Sequence, residues 1–420
     1  MKRGARNTLL SGIQAVFGMA CMFWAYRILL HEAGAERMGL WTLLFSSISI
    51  ARLADVTGSG GLARFVAEAR GCNRDATTYI HTLTLATIAL YFSLSLIIYF
   101  LSDELIKFMV EPQWRKEALA VMPLAIVAGL FSSPVAALLA SGIDGLQRAD
   151  LRALLVMASY VIFLILVNKM VPQYGIWGWG VALVVQQILT IVGSWVILSI
   201  YLPRLGFAPY RWSFRTFRET LAFGLKLQVS GVASHLSEPL AKIIMGKVAG
   251  LEAVALYELS AKLVTGLRGI LVQMAMPLIP EFAVSKGSAQ TIESLLRKST
   301  RVMTRASIGL LIVLILAAPI FSSFMLSAVN TDLLVMIAIL GVGWTANALA
   351  VPHYFAGIGC NFMRWNIGSH FAIAASVVIV GGLLGPIFGA IAVVIAITIG
   401  LIGGAFMVRL GNGRALNTRK

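Results

Sequence analysis

Apolar runs of about 20 residues follow one another almost without pause from Thr8 to Val408, and each can cross a hydrocarbon core of about 30 Å as a helix. A bilayer offers no water to backbone groups, so only helices and closed barrels span it. Barrel strands are short and alternate apolar with polar residues, and these runs do neither. Composition agrees. The chain is 59% hydrophobic and 12% charged over 420 residues, with a mean hydropathy of +0.86. A soluble globule cannot hide that much apolar surface. The expected fold class is therefore an all-α integral membrane protein.

The runs parse into twelve spans, near 8–30, 38–57, 78–101, 118–141, 151–170, 176–201, 220–246, 251–279, 301–327, 332–358, 365–384 and 387–408. With the N-terminus in the cytoplasm, loops and tails on that side carry about 22 lysines and arginines, against about 6 on the other. The richer side includes Arg3, Arg70, Arg204, Arg211, Arg215 and Arg297. Both termini are thus expected to be cytoplasmic. Much of the net charge of +16 then faces anionic lipid headgroups. No loop is long enough to form a basic soluble module, which excludes nucleic acid as a partner. The segments 206–220 and 283–300 read as amphipathic connectors at the membrane surface. Lys2-Arg3 before an apolar run and Ala33-Gly34-Ala35 after it imitate a signal peptide. The run is too long for a cleaved one, so an uncleaved first helix is expected. Cys21, Cys72 and Cys360 are odd in number and lack zinc or disulfide spacing.

The chain also echoes itself. Ala33–Leu44 lies over Ala249–Ser260 at a shift of 216 positions, and Arg52 then falls on Arg268. Roughly 10 of 39 positions match across the register, as in a duplicated transporter. Six spans per half predict two six-helix bundles, 1–205 and 220–420, joined by a basic linker at 206–219. A central cleft between them would work by alternating access. Pro123, Pro134, Pro239, Pro277 and Pro280 fall at membrane depth, where a lost backbone hydrogen bond must be repaired by protein or water.

Basic residues within the spans include Arg27, Arg52, Lys226, Lys242, Lys262 and Arg268. Acidic neighbours are Asp55, Glu238 and Glu258. Intramembrane charges face water or a partner. Arg52 and Asp55 are three apart, and Glu238–Lys242 and Glu258–Lys262 are four apart, so each pair could close within one helix. Arg27 and Arg268 have no acidic residue at such spacing, although Arg27 could snorkel outward. An excess of positive charge suits an anion, and the planar arginine fork suits phosphate. A cation exporter would instead place unpaired carboxylates there.

Enzyme readings find little support. His31, His81, His235, His353 and His370 are scattered, with no metalloprotease motif, glycine-rich phosphate loop or nucleotide-binding module. No cofactor is expected beyond H+ or Na+ as candidate coupling ions. Trp177, Trp179, Trp195 and Trp344 read as interfacial belt anchors. Gln14, Gln186, Gln187, Gln228 and Asn347 are polar groups that a hydrophilic glycan could contact.

Several local patterns resemble one family. Gly39-Leu40-Trp41 followed by Asp55-Val56-Thr57-Gly58 is similar to its second span. Gly142–Arg148 is similar to the element after its fourth. Glu238–Gly246, Tyr257 and Pro277–Phe282 are similar to the start of its second half, with Pro239 a departure. The chain resembles the polysaccharide-export flippases (Wzx-type O-antigen transporters) of the multidrug/oligosaccharidyl-lipid/polysaccharide exporter superfamily. That resemblance implies an inner-membrane carrier that turns over an undecaprenyl-diphosphate-linked oligosaccharide from the cytoplasmic to the periplasmic leaflet. The oligosaccharide would be an O-antigen or exopolysaccharide unit, and a polymerase and glycosyltransferases would be partners. Arg52 and Arg268 would hold the diphosphate, with Arg27, Lys242 and Lys226 guiding it. The alternatives are a cation-coupled multidrug antiporter, with Asp55 and Glu238 as coupling carboxylates, and a scaffold for glycosyltransferases.

Overall fold

A computed structural model describes residues 3–54, 61–72, 75–221, 236–285, 288–360 and 363–417, and the regular structure among them is helical. The chain divides into two compact units, Met1–Val232 and Ala233–Lys420. That boundary lies within 222–235, outside the described residues.

The first unit contains α1 (Arg3–Ala33), α2 (Ala35–Ser49), α3 (Leu62–Gly71), α4 (Thr77–Met109), α5 (Arg115–Ala125), α6 (Ser133–Gly145) and α7 (Ala149–Tyr201). A 3-10 turn at Ile50–Ala54 extends α2, and a π turn at Ile126–Ser132 joins α5 to α6. The second unit contains α8 (Ser237–Ala275), α9 (Leu278–Val284), α10 (Ala289–Leu326), α11 (Thr331–Leu349), α12 (Val351–Gly359), α13 (Met363–Ser376) and α14 (Gly382–Asn417).

Among the described residues, seven helical segments are long and apolar enough to cross a membrane. Two of these are hairpins. In α7 the helix breaks at Gly175, with φ 54° and ψ −134°, and the arms run back along each other. Met170 packs on Gly178 and Leu155 on Gly193. In α14, fused to α13 by a π turn at Val377–Gly381, the break is Gly389, with φ 64° and ψ −147°. There the Ser376 hydroxyl donates to the Ala396 carbonyl at 2.7 Å. A third hairpin, α8, turns at Gly250 (φ 80°, ψ 177°) and carries seven charged residues.

These turns expose the duplication more clearly than the aligned letters do. Gly34, between α1 and α2, has φ 91° and ψ 162°, close to the values at Gly250, its partner in the repeat. Gly175 and Gly389 form a second matched pair, and each follows a proline by three positions, Pro172 and Pro386. A side chain at such positive φ clashes with the backbone, so glycine is the residue that makes the turn. The prolines expected to break spans behave variously. Pro123 stays inside α5, Pro134 opens α6 after the π turn, and Pro277 ends the α8 arm. Pro239 sits in the first turn of α8 rather than interrupting it, where a missing N–H costs least.

The helices present large apolar side chains outward, among them Phe100, Ile200, Leu316, Ile320, Leu383 and Ile387. A belt of this kind is stable only against lipid. The protein is a multi-pass membrane protein.

Inside the first unit, Leu62, Val66, Leu83, Ile143, Leu198 and Leu205 form one core. Tyr26 of α1 stacks on Trp179, ring centroids 5.4 Å apart, and Phe163 meets Trp179 edge-on. Trp179 is fully buried, and so it is a core residue rather than a belt anchor. Arg152 of α7 ties α6 to α1, bonding Asp144 at 2.8 Å and Gln14 at 3.1 Å. In the second unit Asn412, Asn366 and the backbone of His353 and Tyr354 clasp α12, α13 and α14 through buried hydrogen bonds of 2.9–3.0 Å.

Candidate functional site

The α8 hairpin places two of its charged groups opposite two others. From one arm Lys242 and Glu238, and from the other Glu258 and Lys262, meet across the Gly250 turn. Lys242 is 2% exposed, with its Nζ 2.9 Å from Glu238 and 2.5 Å from Glu258. Lys262 is more open and lies 3.9 Å from Glu238 and 3.7 Å from Glu258. The result is a neutral quartet. The Glu238–Lys242 and Glu258–Lys262 pairs expected from the spacing are present, and the shortest contact, Lys242–Glu258, runs between the arms. Lys242 is sealed among carboxylates, which leaves it little reach toward an anion.

Arg268 stands further along the second arm in a different setting. One guanidinium nitrogen donates to Asn347 Oδ1 at 2.6 Å, and the group lies 4.7 Å over the Trp344 ring. No carboxylate lies within 4.0 Å of it among the described residues. Its Nε is buried without a hydrogen-bond acceptor among the described residues, as is the Ser307 hydroxyl without a partner. Both residues line a cavity of about 20 Å³ between α8, α10 and α11, with Leu310, Gly341, Trp344 and Thr345. That is room for about one water-sized species. Trp344 is the platform for the cation, an arrangement that stabilises a charge with few other partners.

In the first unit Arg27 sits half-buried on α1, 5.9 Å over the Trp24 ring. Arg52 is half-buried in the 3-10 turn after α2. Asp55, Lys226, Gln228 and His235 lie outside the described residues. The unit 1 positions that match the quartet are Met22, Tyr26, Thr42 and Ser46. The charge cluster is therefore a property of the second half, whereas arginine recurs in both. Cys21, Cys72 and Cys360 form no disulfide, and no group of residues able to hold a metal occurs among the described residues.

Sequence reading did not connect Arg268 with Asn347, Trp344 and Ser307. They sit on other helices at distances in the chain that no periodicity marks.

No curated protein matches the chain significantly by sequence. Solved structures match it closely in fold. A multidrug resistance MATE family transporter of the MOP superfamily, in an inward-facing conformation, superposes with a TM-score of 0.82 at 13% identity, covering 96% of this chain and 98% of that one. The lipid II flippase MurJ, in an inward closed conformation, gives 0.77 at 12%, covering 97% and 87%. A MOP superfamily transporter from Pyrococcus furiosus, described as having a binding pocket of reverse polarity, gives 0.70 at 17%, covering 98% and 95%. At these identities the likeness establishes the fold, the two-lobed helical architecture of that superfamily. The sequence itself matches the model of one family, described as polysaccharide biosynthesis protein, over residues 27–286. With most of its length inside that match, the chain belongs to the polysaccharide biosynthesis protein family.

Proposed function

We propose that this protein is a flippase rather than an enzyme. In this reading it carries an undecaprenyl-diphosphate-linked oligosaccharide, an O-antigen or exopolysaccharide unit, from the cytoplasmic to the periplasmic leaflet of a bacterial inner membrane. The observation that carries this reading is Arg268, a guanidinium without a carboxylate partner among the described residues, seated on Trp344 and Asn347. A diphosphate is the anion such a planar fork holds best, through paired charge-assisted hydrogen bonds. Arg52, its counterpart in the repeat, and Arg27 supply further positive charge. The polyprenyl tail stays in the hydrocarbon while the headgroup changes side, so the protein need only shelter the polar part. Both termini are cytoplasmic, and an H+ or Na+ gradient, or the substrate's own, drives the cycle. Family membership and the fold shared with a lipid II flippase support this assignment.

The fold is equally that of multidrug transporters, which keeps a cation antiporter as the second reading. Such an exchanger needs an unpaired carboxylate at membrane depth. Glu238 and Glu258 both stand within 4 Å of a lysine, which weighs against it.

The test uses a deletion strain complemented with wild type or with Arg52→Ala/Arg268→Ala. The expected result is accumulation of undecaprenyl-linked oligosaccharide on the cytoplasmic leaflet, relieved by wild type only. A normal lipid profile in the deletion strain, with sensitivity to cationic dyes, would replace this reading with the antiporter.

A further inference from the structure

A second cavity, within the first unit, has the opposite chemistry. It lies between α6 and the two arms of α7 and measures about 200 Å³, far more than the ~10–15 Å³ that one water requires. Its polar lining is Ser133, Ser159, Tyr160, Gln186, Gln187 and Thr190, and the remaining wall is small and aliphatic. No charged side chain lines it.

Two of these groups are costly where they stand. Gln186 and Gln187 fall near the middle of the second arm of α7, at the depth where an unsatisfied amide is most expensive. Gln186 is 6% exposed, yet among the described residues neither amide makes a hydrogen bond. By contrast, the Thr190 and Ser159 hydroxyls are satisfied by backbone carbonyls one turn earlier. An amide carries two donors and an acceptor, so a pair of them facing an open polar cavity is equipped for a ligand rich in hydroxyls. The Tyr160 ring supplies a flat wall, held against α1 where a Cβ at Gly18 would come within 2.9 Å of it. Such a face suits the C–H side of a sugar ring, and its fixed position lowers the entropy lost on binding.

We propose that this cavity is a subsite for an uncharged sugar residue of the lipid-linked oligosaccharide, read by the amides of Gln186 and Gln187 against the Tyr160 ring. A diphosphate finds no cation here, and a cationic drug finds no carboxylate. This assignment rests on the flippase proposal and adds a division of labour. The arginines take the lipid diphosphate, and the cavity between α6 and α7 takes sugar.

The experiment measures equilibrium binding of two radiolabelled lipids to the purified full-length protein in nanodiscs. One is the oligosaccharide lipid extracted from the deletion strain, and the other is undecaprenyl diphosphate. Gln186→Leu/Gln187→Leu should weaken the oligosaccharide lipid about tenfold or more, as expected for two lost hydrogen bonds, and leave undecaprenyl diphosphate unchanged. Arg268→Ala should weaken both. Ala137→Phe, which narrows the cavity from an exposed position on α6, should reproduce the selective loss if the double variant misfolds. Equal loss for both lipids, or loss for neither, overturns the sugar subsite. Weakening of undecaprenyl diphosphate alone would assign the cavity to the lipid tail, which also overturns it. Wild type that holds undecaprenyl diphosphate but gains no affinity from the glycan overturns the subsite and spares the flippase. Wild type that binds neither lipid overturns both.

Discussion

Lys242 and Arg268 are basic groups on one hairpin, and their surroundings give them opposite work. Lys242 is locked between two carboxylates, so its replacement leaves the buried Glu258 with only the more distant Lys262, at 3.7 Å. Breaking a buried pair from one side costs about 3–5 kcal/mol. Lys242→Met should therefore lower the thermal unfolding temperature in detergent markedly, and Lys242→Met/Glu258→Leu should recover much of the loss. A double variant no more stable than the single one would show that the pair is not the source. Arg268 has a ring, an amide and a cavity instead. Arg268→Lys keeps the charge but loses the planar stack and fork. Flipping should fall about tenfold or more with membrane abundance unchanged, read as accumulated lipid-linked oligosaccharide. Transport equal to wild type would mean that charge alone suffices. At this scale the sequence was half legible. Spacing revealed the two intrahelical pairs, because i,i+4 is a local relation. The Lys242–Glu258 contact needed the turn at Gly250, and the Arg268–Asn347 bond joins residues 79 apart.

The hairpin is the recurring element, and its turn residue decides whether it forms. Gly175 and Gly389 adopt nearly the same left-handed conformation. A Cβ there should cost about 1–3 kcal/mol. Gly175→Ala and Gly389→Ala should each lower thermal stability by a similar amount, whereas Gly12→Ala, a helical site with open space around it, should not. Equal effects at all three would remove the strain argument. The span reading found these turns only as boundaries, because hydropathy is nearly continuous across them and a lone glycine among aliphatics gives little signal.

A different element, the linker after α7, is strapped to the first unit. Trp195 Nε1 donates to the Gly206 carbonyl at 3.1 Å, Ser213 N donates to Thr82 Oγ1 at 3.3 Å, and Arg211 lies 3.9 Å from Asp75. Burial pulls the Asp75 carboxyl upward, but hydrogen bonds from Thr77 and the charges of Arg204 and Arg211 outweigh it. They hold the pKa below the usual 3.8. A depressed carboxylate contributes stability above its unfolded pKa and loses it as pH falls through the folded one. The strap should hold at neutral pH and loosen below about pH 4. Asp75→Asn should mimic that loosening at neutral pH, seen as several-fold faster tryptic cutting after Arg211. Unchanged cutting would show that Asp75 does not fasten it.

For the molecule as a whole, the class was plain from the apolar runs, and the outward belt of Phe100, Leu316 and Ile387 is their counterpart in the structure. The count of crossings was harder. The two arms of α8 carry seven charged residues among their apolar ones, which lowers their hydropathy. That hairpin holds Arg268 and the quartet, and the charges that suit a segment for an anion also lower its hydropathy. Function thus erodes the signal that betrays the fold.

The neutral quartet has a consequence for how the chain reaches the membrane at all. Each lone charge at a helix centre opposes insertion by about 2.5–3.5 kcal/mol, and α8 carries seven. Closing the Gly250 turn first lets Lys242, Lys262, Glu238 and Glu258 neutralise one another before the arms leave the translocon, so the hairpin partitions as one unit. Gly250→Leu should then lower the inserted fraction, measured by protease protection of nascent chains, and do so far more than Gly34→Leu, whose matching turn carries no such quartet. Equal loss at both turns would assign the effect to backbone strain alone. In the second half of this protein, the residue that shapes the site would also be the one that licenses its biogenesis.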